Sequence, residues 1–332
     1  MKKSGLRKLL IGTGISTLAV LVGAGLLLLV VIGMYTTVLA AVVNQEEAVR
    51  ARAGEPMGDG SIYAVLDQAL TYIGTPYEHG GASYSSIDCS GLALVAYRDA
   101  GTGITLTHAT WEQVLYGESI YQSGTGDYFV LRRASDPDSQ NAPILGENVL
   151  YVYSDNVGID IPILPGDLIF FSYGGAVAEG YSTGHVGIYI GNGQYVHALN
   201  PTMRTHISPL FTGSETYFNP PRSIYAIRRY LGSASLSAFV ELVGASDLKG
   251  YPITITYQDA QLLAQYIHAE TNPLPAVDRY DIANNIINQA RLSQTSITSV
   301  INDLGGTESC VPDAESWRIV RCALLGFYVD PF

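Results

Sequence analysis

Only three cysteines occur in the 332 residues, and positive charge is scarce: 18 Lys and Arg stand against 30 Asp and Glu. The shortage of cations excludes nucleic-acid binding through a basic surface. It sharpens after residue 8, because Lys2, Lys3, Arg7 and Lys8 use up four of them. The remainder holds 14 Lys and Arg against 30 acids, a net of −16. Metal-ligand spacing is missing too, apart from one Cys and two His, so no metal or organic cofactor is expected. Charge is wholly absent from Leu9 to Tyr35. A run that long spans a bilayer, and its basic flank keeps the N-terminus in the cytoplasm and exports the rest. The expectation is a cytoplasmic tail over 1–8, a single-pass membrane anchor over 9–35 and a linker over 36–59. A cleaved leader ending near Val38-Leu39-Ala40 is the rival, but the apolar run exceeds a usual leader core.

Against this background Cys89 stands out. It lies in Asp88-Cys89-Ser90-Gly91-Leu92, before the apolar run Ala93 to Tyr97. That pattern predicts a thiol at a helix N-terminus, where unpaired N–H groups and the helix dipole favour the thiolate. A lone cysteine is more often packing than chemistry, so a chemical role for Cys89 requires partners elsewhere in the chain.

The segment Gly184 to Ile190 reads as a strand, Gly191-Asn192-Gly193 as a turn, and Gln194 to Ala198 as the return strand. The register of this hairpin decides the geometry. A two-residue loop at Asn192-Gly193 opposes His197 to Ile188 and sends the two imidazoles to opposite faces. A three-residue loop from Gly191 to Gly193 opposes His197 to Gly187 and puts His185 and His197 on one face, roughly 7–8 Å apart on the diagonal. Gly193 supplies the left-handed residue that a bulged three-residue loop requires, so the second register is expected. A thiol at a helix start and two imidazoles on one sheet face make an activated cysteine: one His takes the proton, and a second polar group orients that His. The same three residues with a water would also suit zinc.

These blocks resemble the NlpC-type papain-like cysteine peptidases that cut bacterial cell-wall peptides. Tyr72-Ile73-Gly74-Thr75-Pro76-Tyr77, His79-Gly80-Gly81, Asp88 to Leu92, Gly166 to Phe171, Gly184 to Gly191 and Tyr195 to Ala198 appear in that family's order, over residues 60–231. The resemblance implies Cys89 as nucleophile, His185 as general base and His197 as the group that orients it. It implies Tyr77 beside the nucleophile, and Asp88 and Ser90 at the substrate's amino end; Asp88 alternatively just caps the helix. His79 and His108 are expected in loops or packing, without a chemical role. The stretch 116–163 is longer than the family needs and reads as a lid or a surface excursion.

After Tyr230 the texture changes. Residues 232–256 read as a linker and 257–332 as a small, mainly helical domain. Leu262, Leu263, Tyr266 and Ile267 form an apolar stripe that Glu270 continues, so this acid is expected to face a groove or a core. Asp281 is expected to cap a helix bearing Ile282, Ile286, Ile287 and Ala290; Ile297 to Ile301 and Trp317 to Leu324 predict two more helices, the last ending at Gly326. Leu263 to Glu270, Ala283 to Arg291 and Gly326 to Pro331 resemble the SleB-type cell-wall lytic glycosidases. That resemblance implies Glu270 as the acid of a lytic transglycosylase, although the sequence stops where the family continues. Cys310 and Cys322, on the exported side, are candidates for a disulfide.

The expectation is therefore an α+β papain-like domain with an antiparallel sheet, a small helical domain after it, and an N-terminal transmembrane helix at the cell membrane. The partners expected are peptidoglycan and the membrane, with no nucleic acid. A Cys/His wall amidase, a papain-like acyltransferase and an inactive wall-binding scaffold are the rivals.

Overall fold

A computed structural model describes residues 22–34, 57–58, 60–124, 127–133, 135–136, 146–154, 159–172, 182–211, 217–218, 224–244 and 246–329. The chain divides into two units, Met1–Ala51 and Arg52–Phe332. In the first, residues 22–34 are helical with exposed side chains. Among the described residues no helix is long and apolar enough to cross a membrane. Much of the anchor expected over 9–35 lies outside the described residues.

The second unit is built on a six-stranded antiparallel sheet. Its strands are β1 (Glu118–Gln122), β5 (Leu168–Phe171), β6 (His185–Gly191), β7 (Gln194–Ala198), β8 (Thr205–Pro209) and β10 (Ile224–Arg229), in the order β1-β10-β5-β6-β7-β8. β5 and β6 are buried along their whole length, as a near-continuous apolar run in a central strand requires. The helix Ile62–Thr71 begins at Ser61, whose hydroxyl accepts the Ala64 N–H at 3.2 Å. Ile62, Val65, Leu66, Ala69 and Leu70 form its buried stripe. It packs on helix Cys89–Asp99, and both rest on β6. The α+β expectation with an antiparallel sheet holds.

In its described part the excursion between Tyr116 and Ile163 is built of strands and is not a loose loop. β1 joins the main sheet, while β2 (Tyr128–Arg133), β3 (Asn148–Ser154) and β4 (Ile159–Pro162) form a second sheet with β9 (Tyr217–Phe218), in the order β4-β3-β2-β9. Phe129, Leu131, Leu150 and Val152 of this sheet share one buried cluster with Ile169, Phe171, Tyr189 and Ile227 of the large sheet. Burial of that apolar surface is what fixes the excursion on the fold.

The C-terminal stretch departs from expectation in four ways. First, residues 232–256 are not a bare linker: they hold helix Ser233–Val243 and then buried Leu248, Ile253 and Ile255. Second, the helix expected to start at Asp281 runs Ala276–Ser293, because Pro275 already provides the break, and Asp281 lies exposed inside it. Third, the buried stripe of helix Tyr257–Glu270 is Ala260, Leu263, Ala264 and Ile267. Leu262 and Tyr266 lie on its half-buried flank, and Glu270 follows that flank into solvent. Fourth, Cys310 and Cys322 are both free thiols. Cys310 lies against Gln265, with Sγ 3.7 Å from its carbonyl oxygen, whereas Cys322 is buried near Tyr63, Asp67 and Tyr280. Helices Ile297–Asp303 and Ala314–Leu325 match the pattern, the latter closing on left-handed Gly326.

Candidate active site

Cys89 is the first residue of helix Cys89–Asp99, and Asp88 is its N-cap. The Asp88 carboxylate is the hub of this corner. Its Oδ1 accepts from the Gly91 N–H at 2.7 Å and from the Ser90 hydroxyl at 2.9 Å, and lies 3.0 Å from His108 Nε2. Its Oδ2 accepts from the Gly80 N–H at 2.7 Å. Burial pushes this carboxyl up, but the Gly91, Gly80 and His108 donors outweigh it and hold the group below the usual carboxylate range. Gly91 has no substitute here: a Cβ would run into the Gly81 carbonyl oxygen. Ser90 spends its hydroxyl on Asp88, and its carbonyl accepts from Gln113 Nε2 at 3.0 Å. His108, given no role from sequence, is thus a structural partner of Asp88. His79 is exposed.

The thiol is not acidified. Burial pushes Cys89 up to about 11, and the charge of Asp88 adds to that. N–H groups of Val186, Ser90 and Cys89 itself pull the other way without winning. The expectation of a depressed pKa rested on the helix start; here burial outweighs it and the Asp88 charge adds to the rise. The Val186 contact places the thiol at the start of β6. Tyr77 is half-buried at the same corner, its phenol raised by burial and by the neighbouring Cys89 and Asp88.

The two histidines meet. His185 Nε2 lies 2.8 Å from His197 Nδ1, and His197 Nε2 lies 2.9 Å from the Ser208 hydroxyl. The register is the expected one, with Ile188 opposite Val196 and Tyr189 opposite Tyr195, so that His197 falls opposite Gly187. The route to it differs. Gly191 pairs with Gln194 around a two-residue turn in which Asn192 and Gly193 have φ of +46° and +71°. The register then shifts between Tyr189 and Gly191. A two-residue turn plus one bulged residue gives the same facing as a three-residue loop.

β8 adds two groups that sequence reading missed. His206 lies directly opposite His197, with the rings 4.4 Å apart and tilted by 48°, and its Nδ1 lies 3.0 Å from the Arg204 carbonyl oxygen. Ser208 is two residues further, on the same face. Reading Thr205–Pro209 as a third antiparallel strand is the signal that would have found both. All three imidazoles are held neutral. Burial, then the charge of His206, pushes His185 down to about 3, against an opposing pull from Asp88. Burial also lowers His197, well below its ordinary value, and His206.

That neutrality links to stability. Each group binds a proton less readily when folded, so its contribution is complete above the unfolded imidazole pKa of about 6.5 and is lost as pH falls below it. For His185 the window runs from about 6.5 down to about 3. Urea unfolding between pH 7 and pH 4 should therefore show stability falling with acid, by up to about 1.4 kcal/mol per pH unit for each buried histidine. His206→Phe should flatten that slope.

Similarity to known proteins covers this part of the chain. The NlpC/P60 family profile matches residues 74–219. The "Probable endopeptidase NlpC" of Escherichia coli is 30% identical over 137 residues, 41% of this chain and 61% of that protein. A "Probable endopeptidase" of Mycobacterium tuberculosis is 34% identical over 108 residues, 32% of this chain and 27% of that protein. The crystal structure of the NlpC/p60 domain of the peptidoglycan hydrolase SagA is 26% identical, covering 45% of this chain and 89% of that chain, at a TM-score of 0.27. The chain thus spans less than two thirds of the full length of either curated relative. The profile lies over the segment that carries Cys89, His185 and His197, so it is residues 74–219 that match the NlpC/P60 family.

Proposed function

We propose that the protein is a peptidoglycan hydrolase that cuts stem peptides as a cysteine endopeptidase, with Cys89, His185 and His197 as its working set. The observation that supports this most is the ordered contact from His185 Nε2 to His197 Nδ1 and from His197 Nε2 to Ser208, in a fold that also sets a thiol at a helix start. The direction of the chain comes from the chemistry. His185 must present a bare nitrogen to the thiol. With Nε2 engaged by His197, that nitrogen is Nδ1, and Nε2 carries the proton that it donates to His197 Nδ1. His197 in turn holds its proton on Nε2 and donates it to Ser208. Each ring is thereby fixed in one tautomer.

Thiol and imidazole both rest neutral, so the proton passes from Cys89 to His185 as sulfur attacks the peptide carbonyl. The Cys89 backbone N–H at the helix start stabilises the oxyanion. His185 then protonates the leaving amine, and water hydrolyses the thioester. Tyr77 and the Asp88–Ser90–His108 corner line the site beside the thiol and suit the amino end of a peptide. The charge-free run behind four cations supports attachment to the membrane, with the catalytic unit outside. Glu270 lends no comparable support to glycan cleavage: it is exposed, and among the described residues its carboxylate meets the Thr307 hydroxyl at 3.5 Å.

Mass spectrometry of the fragments released from purified peptidoglycan tests this reading. Peptide fragments with new amino termini are expected, with glycan strands intact. New reducing or anhydro sugar ends without peptide cleavage would overturn it.

A further inference from the structure

The face on which His197 lies is decided at the tip of the β6–β7 hairpin, where one bulged residue corrects the register left by a two-residue turn. Loss of that bulge slips β7 by one residue and turns His197 to the other face. Asn148 N–H on Asn192 Oδ1 at 3.0 Å, Gly193 N–H on the Tyr189 hydroxyl at 2.9 Å and Leu210 N–H on the Gly193 carbonyl at 2.8 Å hold this tip from within the sheets, and the C-terminal stretch adds a second set of contacts. Arg291, on helix Ala276–Ser293, is fully buried and points Nη2 at the Asn192 carbonyl oxygen, 3.5 Å away. Gln194, the first residue after the turn, donates Nε2 to the Ile253 carbonyl at 2.7 Å. Asn192 Nδ2 reaches the Gly250 carbonyl at 3.5 Å. Further along, Ile255 and Ile207 exchange both backbone hydrogen bonds, at 3.0 and 2.9 Å, and Ile207 lies between His206 and Ser208.

Arg291 is costly where it stands. Its Nε and Nη1 are buried without a hydrogen-bond partner, and a buried cation lacking a carboxylate contact is destabilising compared with an apolar residue of similar size. Folding alone is better served by methionine at this position. The group the arginine reaches is the turn that sets the histidine register.

We propose that the C-terminal helical unit is a register clamp for the peptidase: Arg291, with the 250–255 segment bound to Asn192, Gln194 and Ile207, holds the bulged turn that keeps His197 facing His185. Arg291 and Gln194 are positioning residues, and the inference rests on the peptidase reading above.

The test uses the full chain as wild type, R291M, R291K and Q194M. It measures kcat and KM on a stem peptide, thermal melting, and the imidazole nitrogen NMR signals that report the tautomers of His185 and His197. R291M is expected to melt at or above the wild-type temperature, to lose about 10- to 100-fold in kcat with KM within twofold, and to show a second set of imidazole signals. R291K is expected to recover most of kcat and the single set. If R291M does not fold, Q194M decides by the same readouts. Wild-type kcat, or one unchanged set of imidazole signals, in the folded variant would overturn the clamp, as would failure of both variants to fold. If the wild type does not cleave the peptide, the peptidase reading has failed, and the imidazole signals still decide the clamp.

Discussion

Cys89→Ala should abolish release of peptide fragments from peptidoglycan, a loss of at least about 10⁴-fold, as removal of a covalent nucleophile does. The substitution deletes one atom from a site that is 7% exposed, so melting should stay within a few degrees of wild type. No other thiol can take over. Cys310 is turned to Gln265 and Cys322 is buried in the helical unit. Cys89→Ser should be nearly as inactive, because a neutral imidazole must then deprotonate a far weaker acid. Comparable fragment release from wild type and Cys89→Ala would remove the thiol from the mechanism.

Asp88→Ala is the substitution expected to harm the fold most. It strips an acceptor from the Gly80 and Gly91 N–H groups, from Ser90 and from His108 at once. Loss of the cap together with stranded buried donors should cost about 3–5 kcal/mol, or roughly 10 °C in melting temperature for a unit of this size. Activity should fall with it, because the same cap fixes where the cysteine helix starts. Asp88→Asn should fall between, since its oxygen still serves Gly91 while its amide sets a donor against the Gly80 N–H. Thermal melting of the three proteins gives the order. An alanine variant as stable as wild type would show that water replaces the carboxylate without loss.

The parts of this site that were readable in the sequence are those carried by local pattern. A cysteine before small residues and an apolar run places a helix start, and alternating β-rich segments around a Gly-Asn-Gly turn place a hairpin. Both held, as did the facing of His197, although a bulge rather than a longer loop produces it. What was not readable depends on groups far apart in sequence. The Cys89 pKa went up instead of down because the fold buries the thiol, and burial outweighs the helix start and the Val186 N–H. His108 returns to Asp88 only after the helix Cys89–Asp99 and the turns that follow it, a contact that no periodicity marks. His206 and Ser208 needed a third strand to be recognised.

The C-terminal helices were legible as helices, but not their attachment. Arg321 reaches Asp67 at 2.7 Å, and Arg291 reaches the β6–β7 hairpin. Neither partner is foreshadowed by local sequence. Glu270 shows the limit of stripe reading. One residue's rotation between the buried line Ala260-Leu263-Ala264-Ile267 and its flank is enough to send an acid to solvent.

The most direct test of the central claim is alkylation by iodoacetamide, with labelling of each cysteine and the remaining activity followed on the same sample. A thiol that ionises only near pH 11 should react slowly at neutral pH and faster as pH rises. Activity is predicted to disappear in step with modification of Cys89, whatever the state of Cys310. Activity surviving in protein fully modified at Cys89 would contradict a role for this thiol as the nucleophile.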